Sequence, residues 1–389
     1  MRNVNVVIVG SGPSGMSTAL HLVKLDPRWA GRIVVIDKAV HPREKLCGGG
    51  VTRFGLDILS DLGLSFEPQH VAVNKVRIIC EENEYNIPVQ PILRITRRDE
   101  FDHWLVQCGE QRGVEVRQGE AVSDVIPRGD HMEVVTSTGT YRARVVVAAD
   151  GATSLVKRKL QWGSESQTAR LLEVLTPEVA EERFEFRDGV AVFDFTPTMK
   201  GLQGYYWDFP SRVKGRPTMN RGVSDSRVRR ERPRAALKEE LETQLSKRGR
   251  GLAEYELKGH PIHWFDARAK FSRPHVLLVG DAAGIDPLFG EGIPFALAYG
   301  AVAAAEIVQA FEEDNFEFAR YRERVLRHSL LGQVRTRALG ARFLYKLPQY
   351  PRLARFLWKR APLLFGFLAW LKPRYFPVEN PRMERRSPD

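Results

Sequence analysis

Cysteine is scarce in this sequence: Cys47, Cys80 and Cys108 are the three among 389 residues. Their spacing matches no metal-ligand pattern, which argues against a metal centre, and a set so small argues against a disulfide framework. So few scattered thiols suit a reducing, cytoplasmic compartment. A secretion signal is not expected, because MRNVNVVIVG passes straight into a strand. Internal repeats and low-complexity tracts are absent too. Acid is scarce in one region in particular. From Arg320 to Asp389, seventeen Arg and Lys face four Asp and Glu, a net +13, so the preceding 319 residues carry −2 of the overall +11. Long apolar runs are also lacking there: APLLFGFLAWL (361–371) has 11 residues, too few to span a bilayer. The surrounding FLYKLPQYPRLARFLWKRAPLLFGFLAWL (343–371) is basic and aromatic-rich, and reads as a surface for anionic lipid headgroups. Its rival is a helical subdomain that packs its apolar face on the body. The tail matches no nucleic-acid module, and no nucleic-acid partner is expected.

What is present is ordinary for a folded chain, with 43% hydrophobic and 28% charged residues. Its length favours two lobes. NVVIVG (5–10) is a continuous apolar run, as in a parallel strand covered on both faces. The turn SGPSG, a helical MSTALHLVKL and a second strand RIVVIDK follow. This β-α-β unit carries G-x-G-x-x-G at Gly10, Gly12 and Gly15, whose backbone can approach a pyrophosphate at a helix N-terminus. Asp37, 22 residues past Gly15, closes the second strand where a carboxylate can accept from ribose hydroxyls. NAD and FAD both fit this unit.

Later stretches extend the pattern. Residues 93–116 read as a helix leading to a strand, and 141–160 as a buried strand ending in Asp150-Gly151 before a helix. HVLLVGDAAGIDPLFGEGIPFALAYGAVAAAEI (275–307) runs strand, glycine-rich turn, alanine-rich helix. NKVRIICEENEYNIPV (74–89) alternates like a hairpin, more strands fall between Arg183 and Ser226, and 227–249 reads as a charged helix. The expected fold is α/β plus α+β. A discontinuous Rossmann-like dinucleotide-binding domain takes 1–72, 92–160 and 271–320. A mixed-sheet substrate domain, 73–91 and 161–270, is inserted in it, and 321–389 forms a basic amphipathic helical region.

These motifs together resemble the flavoprotein superfamily of p-hydroxybenzoate hydroxylase: GSGPSG (10–15), ADGATS (149–154) and GDAAGIDPLFGEGI (280–293). Within it, KLCGGGV (45–51) and GYYWDFP (204–210) are similar to signatures of the geranylgeranyl reductase family. The resemblance implies FAD. It would set the pyrophosphate on Gly10, Gly12, Ser14 and Gly15, the ribose on Asp37 with Lys38 beside it, and the length of the cofactor along Arg98. Val122 would offer its backbone to adenine, and Asp281 would bond ribityl or pyrophosphate oxygens. Gly292 and Ile293 would face the isoalloxazine through N–H groups, with Cys47 and Gly48 beside it. Glycine at 48–50 would let a flat ring lie close to the backbone. Tyr205, Trp207 and Phe209 alternate, so on a strand they share one face, as an aromatic wall for an isoprenoid chain or as plain core. One departure stands out: two residues, Ile285 and Asp286, separate Gly284 from Pro287, where the family commonly has three.

The implied activity is an FAD-dependent reductase that saturates C=C bonds of an isoprenoid lipid, with NAD(P)H or a ferredoxin-like carrier as electron donor. No second dinucleotide fingerprint is visible, so NAD(P)H would bind transiently. Cys47, Tyr205 and a water remain open as proton donor, so no catalytic residue is assigned, and no metal is expected. A flavin monooxygenase or halogenase is the alternative, since halogenases carry a similar W-x-W-x-I-P stretch. A quinone-linked dehydrogenase of the electron-transfer-flavoprotein type usually needs a cysteine-ligated cluster, which three scattered cysteines do not supply. A non-catalytic flavin-bearing membrane adaptor is the reading from another class. The expected location is cytoplasmic and peripheral to a membrane.

Overall fold

Strands without polar alternation must be covered on both faces, and in the computed structural model they build the first of two eight-stranded sheets. The structure describes residues 1–163, 168–266 and 268–360. The sheet runs Ser272–Arg273, Val276–Leu278, Thr140–Ala148, Arg2–Val9, Ile33–Asp37, Glu115–Gln118. All neighbours are parallel except the first pair. Val9 pairs with both Ile36 and Ala148, and Ala148 with Leu278, so four strands end at one edge. The turns after Val9, Asp37, Ala148 and Leu278 therefore open on one crevice, the usual ligand position in a parallel sheet. A meander of Val122–Pro127 and Met132–Thr136 extends the Thr140–Ala148 strand sideways.

The second sheet is mostly antiparallel, in the order Lys258–His263, Thr168–Pro177, Arg216–Asp225, Tyr206–Val213, Val190–Asp194, His70–Cys80, Asn83–Thr96, Gly50–Val51. It takes in Gly50–Val51 and residues 92–96, which the sequence division gives to the dinucleotide-binding lobe. The KLCGGGV segment thus ends as an edge strand of this sheet. The charged stretch 227–249 is helical only at Leu237–Ser246. Pro233 lies upstream of that start, in a position where a longer helix would lose a backbone hydrogen bond.

Helix Ile293–Glu312 is apolar enough to cross a membrane, yet 78% of its apolar window is buried inside the protein. It packs against helix Pro13–Leu25: a Cβ at Gly300 would lie 2.5 Å from Ser17 Cβ, and Ser17 Oγ donates to the Leu297 carbonyl at 2.7 Å. The chain closes with helices Tyr321–Arg327, Gln333–Leu344 and Pro351–Lys359. Residues 361–389, including APLLFGFLAWL, lie outside the described residues.

Candidate active site

The Gly10–Gly15 turn shows two uses of glycine. Gly10 has φ +105°, and a Cβ there would sit 2.4 Å from the Ala149 carbonyl oxygen; one on Gly15 would sit 1.9 Å from that of Gly10. These two let the turn fold on itself and against the neighbouring strand end. Gly12 differs. Its Cβ direction points at Arg43 Nη2 and Arg98 Nη2, at 3.5 and 3.9 Å. Helix Pro13–Leu25 starts here with no side-chain cap, so its first N–H groups carry the partial positive charge of a helix N-terminus. Ser14 is buried within that first turn.

Cations crowd this terminus. Arg98 makes a two-pronged pair with buried Asp102, 2.7 and 2.8 Å, and Arg43 adds a contact of 3.1 Å to the same carboxylate. Burial works against the Arg98 charge, yet Asp102 holds its guanidinium more firmly protonated than usual. Lys45 Nζ lies 2.5 Å from His260 Nε2. Burial pushes Lys45 down to about 8, with Asp281 opposing and Arg98 and Arg43 adding to the fall. His260 is pushed down to about 4 by burial and by Lys45, so the partner of Lys45 is a neutral ring. Burial raises the Asp281 carboxyl, opposed by Lys45 and Arg98. Three cations thus surround a helix N-terminus, and both Asp102 oxygens are already spent on two of them. A pyrophosphate would meet these cations together with the free N–H groups of the helix start. The residues fit the group.

Asp37 is buried at the edge of this corner. Its Oδ2 accepts from Ser11 N at 2.8 Å and Ser11 Oγ at 2.7 Å, and its Oδ1 from Ala39 N at 2.9 Å. Burial would raise its carboxyl, but these donors and Arg43 win and hold it below the ordinary value. Oδ1 accepts one donor here, which leaves a lone pair for a hydroxyl. Ser11 Oγ also meets His41 Nε2 at 2.7 Å. Val122 is half-buried at the start of its strand, and the neighbouring Glu120 N–H donates to the Asp37 carbonyl. Lys38 is exposed and makes no hydrogen bond or ion pair among the described residues.

A second uncapped helix start lies close by. Gly292 is the N-cap of Ile293–Glu312, again without a side-chain cap. Ser17 and Leu297 touch where each helix is about one turn old, so both N-termini lie roughly 6–10 Å from that crossing at 1.5 Å per residue. The shortened turn before Gly292 is firmly fixed. Ile285 bridges to Trp264, accepts from Phe265 N at 2.9 Å and donates to the His263 carbonyl at 3.0 Å. Asp286 accepts from Leu288 N and from Arg337 Nη1, 2.9 and 2.8 Å, and the same Arg337 atom lies 2.5 Å from Glu291. Glu291 in turn accepts from Thr52 Oγ1 at 2.6 Å. The loop one residue short of the family pattern is pinned by the second sheet and by a C-terminal helix.

The KLCGGGV loop meets the aromatic wall edge-on. A Cβ at Gly48 would stand 2.9 Å from Phe209 Cε2 and 3.8 Å from Trp207 Nε1; one at Gly49, where φ is +79°, would stand 1.9 Å from the Thr96 carbonyl. At these two glycines a side chain would already strike protein, Phe209 at one and the Thr96 carbonyl at the other. Tyr205, Trp207 and Phe209 do share a face. They cluster with Phe193, Phe195, Leu93, Ile95 and Trp358, with Phe193–Phe209 and Phe195–Tyr205 ring centres 4.9 and 5.3 Å apart. Their polar handles are turned into protein. Trp207 Nε1 donates to Asn220 Oδ1 at 2.8 Å, and Asn220 Nδ2 donates to the Cys47 carbonyl at 2.9 Å. The Tyr205 hydroxyl donates to the Phe289 carbonyl, and burial raises its pKa well above that of a free phenol. Both effects make Tyr205 a poor proton donor in this conformation. The Cys47 thiol is half-buried and accepts from Gly49 N at 3.4 Å. Below the loop, Glu173 is pushed up to about 7 by burial, against Arg97, Asn220 and the Cys47 backbone.

The structure therefore joins Gly12, Asp37, Arg98 and Asp281 in one corner, and Cys47, Gly48, Tyr205, Trp207 and Phe209 in an adjoining aromatic cluster, a slot packed shut by its own side chains. Sequence reasoning missed Arg43 and Lys45, though they flank the KLCGGGV motif. It also missed Asn220, Glu173, Arg337 and Trp358, for which no local motif exists.

The family described as FAD binding domain matches residues 3–298. A menaquinone reductase of Mycolicibacterium smegmatis is 29% identical, covering 77% of this chain and 75% of its own. Digeranylgeranylglycerophospholipid reductase 1 of Methanopyrus kandleri is 28% identical, covering 82% and 85%. Among solved structures, a geranylgeranyl bacteriochlorophyll reductase-like protein of Thermoplasma acidophilum superposes with TM-score 0.70 at 20% identity, covering 90% and 92%. The halogenase PltM, in complex with phloroglucinol and FAD, does so with TM-score 0.70 at 17% identity, covering 92% and 80%. At such identities the structural likeness speaks for the fold.

Proposed function

The chain belongs to the FAD binding domain family and is an FAD-dependent oxidoreductase; on that premise we propose that it saturates C=C bonds of an isoprenoid lipid or prenyl chain. One observation carries the reading. Beside the Cys47–Gly49 loop, Tyr205, Trp207, Phe209, Phe193 and Phe195 pack into one aromatic cluster, with the phenol and indole donors turned away into protein. Opened to a ligand, such a cluster would offer hydrocarbon and no hydrogen bond, which suits a chain of isolated alkenes.

Reduced FAD, when bound, supplies the hydride. The chain's part is to bind and orient. Arg43, Lys45, Arg98 and the N-terminus of Pro13–Leu25 would hold the pyrophosphate, and Asp37 the ribose. The Gly292–Ile293 helix start and the Cys47–Gly48 loop would face the isoalloxazine, as the resemblance implies. The aromatic wall holds the alkene in place and excludes water, so the rate gain is one of orientation. Tyr205 keeps its proton on Phe289, which leaves the Cys47 thiol or a water to protonate the second carbon. NAD(P)H or a ferredoxin-like carrier re-reduces the flavin, and the basic C-terminal region meets the membrane from which the lipid is taken.

The relatives named as reductases of menaquinone and of digeranylgeranylglycerophospholipid support this choice. The fold shared with halogenase PltM keeps a peroxyflavin monooxygenase or halogenase as the second reading. Anaerobic incubation of dithionite-reduced protein with geranylgeranyl lipids and menaquinone decides. A gain of two mass units per saturated bond is expected. Products sixteen units heavier, or halogenated, in aerobic assays would transfer the assignment to the second reading. A flavin that no donor reduces would leave only the non-catalytic adaptor.

A further inference from the structure

The aromatic slot contains a side chain that the proposed reaction does not use. Helix Pro351–Lys359 buries Ala354 and Trp358, four residues apart and hence on one face. The Trp358 ring stands 5.5 Å from that of Phe195, within the same cluster as Tyr205, Trp207 and Phe209. A bulky prenyl chain and this indole compete for one wall. The helix is held to the body by few groups. Tyr85 donates its hydroxyl to the Trp358 carbonyl, and Arg355 pairs with Glu81 at 2.8 and 3.0 Å. That ion pair is solvent-exposed, and exposed pairs hold weakly.

The outward side of the same helices is built for something other than water. Leu353 and Phe356, three residues apart, are 47% and 56% exposed, with Tyr350 beside them at the helix start. Leu339 and Phe343, four apart on helix Gln333–Leu344, are 61% and 60% exposed. Among the described residues, five of the eleven exposed large apolar side chains fall in this short stretch. Residues 328–360 hold eight Arg and Lys and no Asp or Glu. Arg337 and Arg355 are paired with the body. The other six, Arg335, Arg342, Lys346, Arg352, Lys359 and Arg360, have no ion pair among the described residues. Exposed apolar side chains rimmed by unopposed cations match an anionic bilayer, whose headgroups neutralise the rim while the apolar groups enter the acyl boundary.

We propose that this face docks on an anionic lipid bilayer, and that docking draws Trp358 out of the aromatic slot and opens it at the membrane. Resting on the prenyl-slot reading, the proposal adds how the slot is kept shut away from its lipid. Arg337 and Tyr345, on the preceding helix Gln333–Leu344 and its C-cap, contact the 285–293 turn.

Two substrate-free measurements test it on the full chain with FAD bound. The first is co-sedimentation with vesicles of phosphatidylglycerol or of phosphatidylcholine. Wild type is expected to prefer phosphatidylglycerol by about tenfold or more, and Leu353→Glu/Phe356→Glu to lose that preference with FAD content unchanged. The second is fluorine NMR of protein labelled with 5-fluorotryptophan, in which the signal absent from Trp358→Phe identifies the plug. That signal is expected to move on adding phosphatidylglycerol vesicles to wild type, and to stay in place in the double variant. Equal binding to both vesicles overturns the docking face, and a Trp358 signal that ignores bound vesicles overturns the plug. Failure of the prenyl reading would show instead in the mass assay, with both of these results intact.

Discussion

The anion corner and the aromatic slot lie on either side of the Arg43–Gly49 segment and are made of different materials. The corner is charged and built from turns after strands of the parallel sheet together with the start of helix Arg98–Gln111; its cations are half-buried and answer to Asp102 and Asp37. The slot is apolar and assembled over long sequence distances, with Asn220 reaching Cys47 and Trp358 reaching Phe195. In the corner, each charge depends on another charge in low dielectric, so one loss is felt by all. In the slot, dispersion is spread over many rings and a few hydrogen bonds set the position of the loop.

That contrast breaks most readily at Arg98. Arg98→Met removes the two-pronged partner of fully buried Asp102 and leaves Arg43 alone to compensate it. Breaking a buried pair in this way costs about 3–5 kcal/mol. A lowered melting temperature and loss of most bound FAD are expected, read by thermal unfolding and by flavin absorbance of the purified protein. Retention of both would mean that the corner does not rest on this pair. Asn220→Leu probes the other side with a smaller effect. It leaves the Trp207 indole N–H and the Cys47 carbonyl without their partner, a loss of about 1–3 kcal/mol for buried groups. FAD affinity should stay within about twofold, while reoxidation of reduced flavin by a prenyl lipid slows about tenfold or more by stopped flow. A variant that loses FAD instead would erase the distinction between the two regions.

The same contrast explains what the amino-acid sequence revealed. Gly10, Gly12, Gly15 and Asp37 are legible because a tight turn after a buried strand can be made by few residues, and their spacing is local. The β-α-β order and the alanine-rich helix follow from apolar periodicity alone. Tyr205, Trp207 and Phe209 are legible as one face of a strand, but not as neighbours of Trp358, which lies about 150 residues away in the chain. Arg337 carries no motif, and its role depends on a helix folding back onto the 285–293 turn. The glycines at 48 and 49 stand out in the sequence, but their contacts with Phe209 and Thr96 do not, because the sequence cannot say which neighbour a missing Cβ would strike. Arg43 and Lys45 could have been found: basic residues just upstream of a glycine-rich loop beside a phosphate motif are a usable signal.

Lys45 offers the smallest and sharpest test, since it belongs to the corner by charge and to the loop by sequence. Burial favours its neutral form, and before an anion arrives it holds its proton only to about pH 8. A neighbouring pyrophosphate favours the charged form, so above that pH binding must take up a proton. Affinity for FAD is therefore level below about pH 8 and weakens above it. The dissociation constant should rise up to tenfold per pH unit, about 1.4 kcal/mol each. Quenching of flavin fluorescence on titrating apoprotein, from about pH 6.5 to about 9.5, reads this slope. Lys45→Arg keeps its charge throughout and should bind FAD with no slope, whereas Lys45→Met should bind it weakly and equally at every pH. A wild-type curve that stays level to the alkaline end would place Lys45 out of reach of the pyrophosphate. The corner would then consist of Arg43, Arg98 and the helix terminus, and Lys45 would belong with His260 to the substrate lobe.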